Sequence, residues 1–333
     1  MTAAAPAGWH RMRTSDRRRA ARAAAQEQGG VLSRKQMRGL GIDARMIRRE
    51  ATAERWRVHG RQTVAVHTGD LGELALRWRA VWEVGERIAC LDGVSSLQAI
   101  GLRGYKDNQV HVSVRHTHDV EPVEGVRIHK VARRAPDEIV TTGVPRTRPG
   151  VAAIRAAHWA ASDRQAALLL CLPVQQRILT GTQLSESRAR VRGLTRRKLI
   201  DELVRDIADG AQSLGELDFA AACRQRRLPE PDRQEVRFGP RGAVYLDVRW
   251  RNGLVVEIDG AAHRWGLAVA DDNLRANAVT LGEDIVLNID LVGWRLAQST
   301  YMDQVCAGYW LREERARSPS RGGGIPRPPS GSR

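Results

Sequence analysis

The stretch "YLDVRWRNGLVVEIDGAAHRW", residues 245–265, contains two runs of alternating character joined by a turn. In the first run a period of two places Tyr245, Asp247 and Arg249 on one face of a strand, and in the second it places Val255, Glu257 and Asp259 on one face. The turn decides whether these faces coincide. A two-residue loop at Asn252 and Gly253 pairs Asp247 with Ile258 and splits the carboxylates. A three-residue loop, Arg251 to Gly253, with Gly253 as the left-handed residue of a bulge, sets Asp247 opposite Glu257 with Cβ atoms about 5 Å apart. The residues permit either loop.

Two carboxylates at that distance repel, and burying them without cations is costly. Arginine can serve as the partner. A divalent magnesium ion suits the chemistry better, because hard cations take carboxylate oxygens, keep several waters and bridge to a phosphodiester.

Asp247, then Glu257-Ile258-Asp259-Gly260, then His263, is followed by "DDNLRANAVTLG" as a predicted helix and "DIVLNIDLVGWRL" as a predicted strand. Over residues 200–315 this order resembles the PD-(D/E)XK nuclease superfamily, in the branch related to very-short-patch repair endonucleases. The resemblance implies an α/β restriction-endonuclease-like domain, residues 199–315, that hydrolyses phosphodiester bonds with Mg²⁺ or Mn²⁺ held by Asp247 and Glu257. Asp259 stands where the superfamily usually has lysine, and no lysine follows Lys198. That branch commonly lacks the lysine, so the resemblance gives Asp259 and His263 an assisting role, with imidazole suited to proton transfer near neutral pH. It also makes Glu216 a candidate ligand from the preceding helix. The residues themselves offer a competing account, since Ser213 and Glu216 in "SLGE" form a capping box. Gln234 matches a recurring glutamine of the branch and equally suits a strand edge.

A formal net charge of +16 over 333 residues favours a polyanionic partner through phosphate neutralisation. The cations are almost all arginine, with lysine at positions 35, 106, 130 and 198. The longest apolar run, "AALLLCLPV" at 166–174, is far too short to span a bilayer, and the basic N-terminus lacks a signal peptide's apolar core. A cytoplasmic protein is expected. Cys90, Cys171, Cys223 and Cys306 are widely spaced, which suggests buried thiols rather than disulfides or thiolate metal sites. No phosphate-binding glycine loop or nucleophile elbow is present, so no small-molecule cofactor is expected.

Residues 15–69 read as a helix-turn-helix with a wing. "DRRRAARAAAQEQ" is helical, Ser33 and Gln36 form a capping box, Gly41 is a terminator, and Asp43 caps a helix in which Arg45, Arg48 and Arg49 crowd the exposed side. "WRVHGRQTVAV" alternates around Gly60 as a two-stranded wing does. The unit resembles the winged-helix N-terminal domain of the abortive-infection type IV antitoxin family. The resemblance and the docking geometry of such motifs bring Arg45, Arg48 and Arg49 to the major groove or its phosphates and Arg61 to the adjacent backbone. They imply DNA as partner and allow a cognate toxin.

Residues 70–198 read as an α+β module, with strands at "QVHVSVRH" and "GVRIHKV" and two helices broken near Ser162. His111, His116, His118 and His129 fall on or beside those strands and read as solvent-facing, since no closed ligand set is evident. Residues 1–14 and 316–333 are expected to be disordered and basic. The expected whole is an α+β multidomain protein: winged helix, middle module and nuclease-like domain. Its expected function is DNA binding with Mg²⁺-dependent cleavage, the alternative being a transcriptional regulator or antitoxin-like protein with an inactive nuclease fold.

Overall fold

The computed structural model describes residues 13–135, 137–208, 219–238, 244–259, 267–280 and 286–317. These form a mixed α/β chain in two compact units, Met1–Val204 and Arg205–Arg333, whose division falls within one helix, Arg197–Ala208. Glu216, His263, residues 1–12 and residues 318–333 lie outside the described residues; the expected tails are shorter than predicted where described, since Thr14 begins a helix and residues 316–317 end one.

The N-terminal unit begins with helix α1 (Thr14–Ala25), strand β1 (Val31–Ser33), helices α2 (Arg34–Gly39) and α3 (Ala44–Thr52), and strands β2 (Arg57–Val58) and β3 (Thr63–Ala65). The Ser33–Gln36 capping box forms in both directions, and Asp43 caps α3 by accepting from the Met46 amide at 2.7 Å. The expected two-stranded hairpin gains a third member, giving a sheet of order β1-β3-β2. The extra strand joins because Val31 and Leu32 are apolar and buried while Val64 and Ala65 stand opposite them.

Helix α4 (Glu73–Gly85) joins this first sheet to a second. Ala75 and Trp82 pack on Val31 and Ala65 of the first sheet, while Ala80, Val81 and Val84 pack on Leu91, Val112 and Val114 of the second. Residues 15–69 and 70–198 therefore share one unit. The second sheet holds β4 (Cys90–Leu91), β5 (Val110–Arg115), β6 (Val126–Val131), β7 (Ile139–Val140) and β8 (Arg146–Thr147) in the order β6-β5-β4-β8-β7. Helices α5 (Gly93–Ala99), α6 (Pro149–Trp159), α7 (Asp163–Gln175) and α8 (Gly181–Arg190) accompany it, and Ser162 caps α7 where the break was expected.

The C-terminal unit follows α9 (Arg197–Ala208) with α10 (Phe219–Gln225), β9 (Arg233–Phe238), β10 (Val244–Arg249), β11 (Val255–Asp259), α11 (Leu267–Thr280), β12 (Val286–Asp290) and α12 (Leu291–Arg317). Its sheet has the order β12-β11-β10-β9. The three pairings are antiparallel except β11 with β12, whose parallel connection runs through α11 as such crossovers require. One face is apolar: Leu246, Val248, Val256, Ile258, Leu287 and Ile289 are all buried. The predicted strand at "DIVLNIDLVGWRL" stops early. Asp290 accepts from the Gly293 amide at 2.7 Å, so the chain turns into α12 at Leu291. At the outer side of β12, Asn277 of α11 donates to the Asn288 carbonyl at 2.9 Å and accepts from its amide at 2.8 Å.

Candidate functional site

The hairpin between β10 and β11 takes the three-residue form. Trp250 donates to the Leu254 carbonyl at 3.1 Å, Gly253 donates to the Trp250 carbonyl at 3.0 Å, and Gly253 has φ +89°. Hydrophobic pairing accounts for the choice. In this register Leu246 faces Ile258 and Val248 faces Val256, whereas a slip of one residue would set Leu246 against Asp259. Asp247 consequently stands opposite Glu257, and the same row continues to Asn288 on β12. The next row brings Asp259 beside Asp290.

The two central carboxylates are not equivalent. Asp247 is 5% exposed, and Arg249, two residues on and therefore on the same face, donates to both of its oxygens at 3.1–3.2 Å. Glu257 is half-buried, and its carboxylate has no hydrogen-bond or ion-pair partner among the described residues. Asp290, 1% exposed, is raised above the usual carboxylate range by burial, against the pull of the Gly293 amide. Its role is explained by the cap and by its contacts with Tyr301 and Asn273.

Two adjacent carboxylates are a donor type that Mg²⁺ takes with water completing its shell, so Asp247 and Glu257 are the residues that would hold such an ion. Among the described residues no set of three acidic, histidine or cysteine side chains converges for a closed metal cage. Arg249 occupies Asp247, and an ion there would require this 46% exposed side chain to move.

In the N-terminal unit, Arg45, Arg48 and Arg49 are all exposed on α3. The opposite side of that helix buries Met46 and Ile47, together with Glu50, which is fully buried. Burial pushes the Glu50 carboxyl up, and the hydrogen bonds from Arg55 at 2.6 Å and Arg18 at 2.8 Å outweigh it and hold the group below its ordinary value. Glu50 thus clamps α1 and the end of α3 beneath the exposed arginines. Arg61 sits in the turn between β2 and β3, where its guanidinium pairs with Glu121 at 2.8 Å in full solvent. That turn is set by Glu83 of α4, whose carboxylate accepts from the amides of Arg61, Gln62 and Thr63 at 2.8–2.9 Å. Gly60 has φ +114°, and a Cβ there would lie 2.6 Å from the Glu83 carboxyl carbon. Glu83 acts across 20 or more residues and Glu50 reaches Arg18 across 32, so neither was visible as a positioning residue in the sequence, although the Glu50–Arg55 pair spans only five.

The strand histidines depart from expectation. His116 is exposed, but His111 is 6% exposed and its Nδ1 lies 3.2 Å from His129 Nε2, with the His129 ring stacked on Trp159 at 3.6 Å. These two rings are packing elements rather than solvent-facing groups. All four cysteines are free thiols, three of them buried.

No helix among the described residues is long and apolar enough to cross a membrane. Compared with known proteins, the chain matches no family model and no curated sequence.

Proposed function

We propose that this protein binds nucleic acid through its N-terminal unit and hydrolyses phosphodiester bonds at Asp247 and Glu257 in its C-terminal unit. The observation that carries the proposal is the register of β10 and β11. It sets two carboxylates side by side on a sheet face and leaves one of them, Glu257, without a cation among the described residues. Two further features support it. The order α1-β1-α2-α3-β2-β3, with β3 between β1 and β2, suits a winged helix that presents Arg45, Arg48, Arg49 and Arg61. The order β9-β10-β11-α11-β12 suits the nuclease-like domain that the sequence resembles.

Mg²⁺ or Mn²⁺ bound here would polarise the scissile phosphate and lower the pKa of an attacking water. Asp247 and Glu257 would supply the oxygen ligands. Arg249, released from Asp247, is placed to meet a non-bridging phosphate oxygen. Asp259, one row along the same face, and His263 are assigned proton transfer. A regulator or antitoxin-like protein with an inactive nuclease fold is the second reading, and the specific observation in its favour is that Arg249 already neutralises Asp247.

Purified full-length protein should nick or cut duplex DNA with Mg²⁺ or Mn²⁺, show no cleavage in EDTA, and bind without turnover in Ca²⁺. Asp247→Ala and Glu257→Ala should each abolish cleavage with DNA binding retained. The triple Arg45, Arg48, Arg49→Ala variant should weaken binding and flatten its salt dependence by about one unit of slope per lost phosphate contact. Wild-type protein inert on duplex, single-stranded and mismatched DNA and on RNA, in all these metals, would leave the regulator reading in its place.

A further inference from the structure

A cavity of about 770 Å³ in the N-terminal unit lies among the end of β6, the segment after that strand, the end of α6, and residues 189–195. That volume is within the range of small-molecule sites. Its wall carries Lys130, Arg133, Arg134, Arg155, Arg190 and Arg192 against a single carboxylate, Glu138.

Four of these cations are accounted for by the protein itself. Arg155 donates to Asp92 at 2.8 Å and to Glu138 at 3.0 Å, and Arg134 donates to the Ser113 hydroxyl and carbonyl. Arg190 pairs with Asp137, and Lys130 lies 3.7 Å from Asp119. Arg133 and Arg192 are different. Both are exposed, and neither has a side-chain partner among the described residues. The rest of the wall is mostly apolar and aromatic, with Val131, Val151 and Trp159, beside the polar His158 and Thr195.

The segment that bears Arg192 is fixed on both sides of it. Arg188 donates to the Val191 carbonyl at 2.7 Å, and His158 Nδ1 donates to the Thr195 carbonyl at 2.6 Å. Gly193 rests so close to the His158 ring that a Cβ would fall 2.5 Å from Nε2. The cavity is therefore shaped before any ligand arrives, which lowers the entropy lost on binding.

We propose that this cavity binds a phosphomonoester attached to an aromatic ring, with Arg133 and Arg192 on the phosphate and the ring against the Val131, Val151 and Trp159 wall. Two guanidinium groups without carboxylate partners match the charge of a phosphate dianion, and their planar forks suit its oxygens. A free nucleotide and the 5′-phosphorylated end of a strand share that chemistry. The site is distinct from the carboxylate pair and independent of the nuclease reading.

Calorimetric titration of the full chain with AMP, adenosine, and a dinucleotide with and without a 5′-phosphate tests the site. AMP should bind saturably and adenosine should not. The Arg133, Arg192→Ala variant should lose about tenfold or more in affinity, the scale expected for charged hydrogen bonds. The Arg45, Arg48, Arg49→Ala variant should bind AMP as wild type does. All five of these side chains are exposed, so the variants should melt like the parent. Tighter binding of AMP than of the phosphorylated dinucleotide identifies a free nucleotide as the source; the reverse order identifies a strand end. The proposal is overturned if neither phosphorylated probe binds in the millimolar range, or if the double variant binds them equally well.

Discussion

Asp92 and Glu138 in the N-terminal unit, and Asp247 and Glu257 in the C-terminal unit, all stand on or beside sheet strands, yet their surroundings differ. Asp92 is fully buried and saturated: one oxygen takes the Gly93 amide and the Thr147 hydroxyl, the other the Ser113 hydroxyl and Arg155. Glu138 receives Arg155 and the Ala135 amide. The Asp247–Glu257 pair is half-open, with one arginine for two carboxylates among the described residues. A cluster of acids is thus weak grounds for chemistry when every lone pair is taken. Incomplete compensation at Glu257, half-buried and without a cation among the described residues, is what distinguishes the proposed site from the Asp92 cluster.

The most severe way to break this comparison is Arg155→Met. It removes the cation that the two buried carboxylates share, leaving Asp92 with neutral donors and Glu138 with Arg134 at 3.4 Å, and should cost about 3–5 kcal/mol in chemical denaturation, as removal of one partner from a buried ion pair does. A loss under about 1 kcal/mol would mean that the hydroxyl and amide donors alone satisfy Asp92.

Acid offers a second, milder test, because the N-terminal unit also buries its imidazoles. Burial, reinforced by mutual repulsion, holds His129 down at about 4, and burial holds His111 below its ordinary value. The unfolded chain takes up protons near the ordinary imidazole value of 6.5, which the folded rings refuse. The His129 contribution to stability is therefore complete above that pH and declines as pH falls towards about 4, with a slope of up to about 1.4 kcal/mol per pH unit within that window, and the His111 contribution declines in the same direction. Urea midpoints measured from neutral pH into this window should show the decline, and His129→Gln should make it shallower.

The smallest effect belongs to the open pair. Glu257→Gln should change stability by no more than about 0.5 kcal/mol, since the side chain has no partner to lose among the described residues and a repulsion to relieve. Thermal melts of the two variants side by side would sharpen the contrast: a large loss at Glu257 would make it a structural residue.

How much of this was legible in the sequence depends on the range of the interaction. Caps and turns are local, and Ser33 with Gln36, Asp43 and Ser162 behave as their spacing predicts. The hairpin register was also present in the sequence. Leu246, Val248 and Trp250 alternate in step with Leu254, Val256 and Ile258, and one loop length brings those two sets face to face, which the turn residues alone did not decide. Arg249 was readable as a same-face neighbour of Asp247. By contrast, Arg155 meets Asp92 across 63 residues, and Glu83 meets the β2–β3 turn across about 20, so no spacing rule reveals them. The histidines misled because alternation gives a residue's face but not what covers it. Trp159, from a helix 30 residues on, encloses His129.

Asn277 has a consequence for how the molecule behaves in company. Among the described residues β12 ends the sheet, and a terminal strand with free amides and carbonyls is a template to which a stray chain can add further strands. The Asn277 carboxamide, 1% exposed, imitates one residue of such a neighbour, satisfying the Asn288 amide and carbonyl with a group that cannot itself be extended. A single side chain thereby closes the sheet to self-association at that position, without occupying the carboxylate face of the adjoining strands β11 and β10.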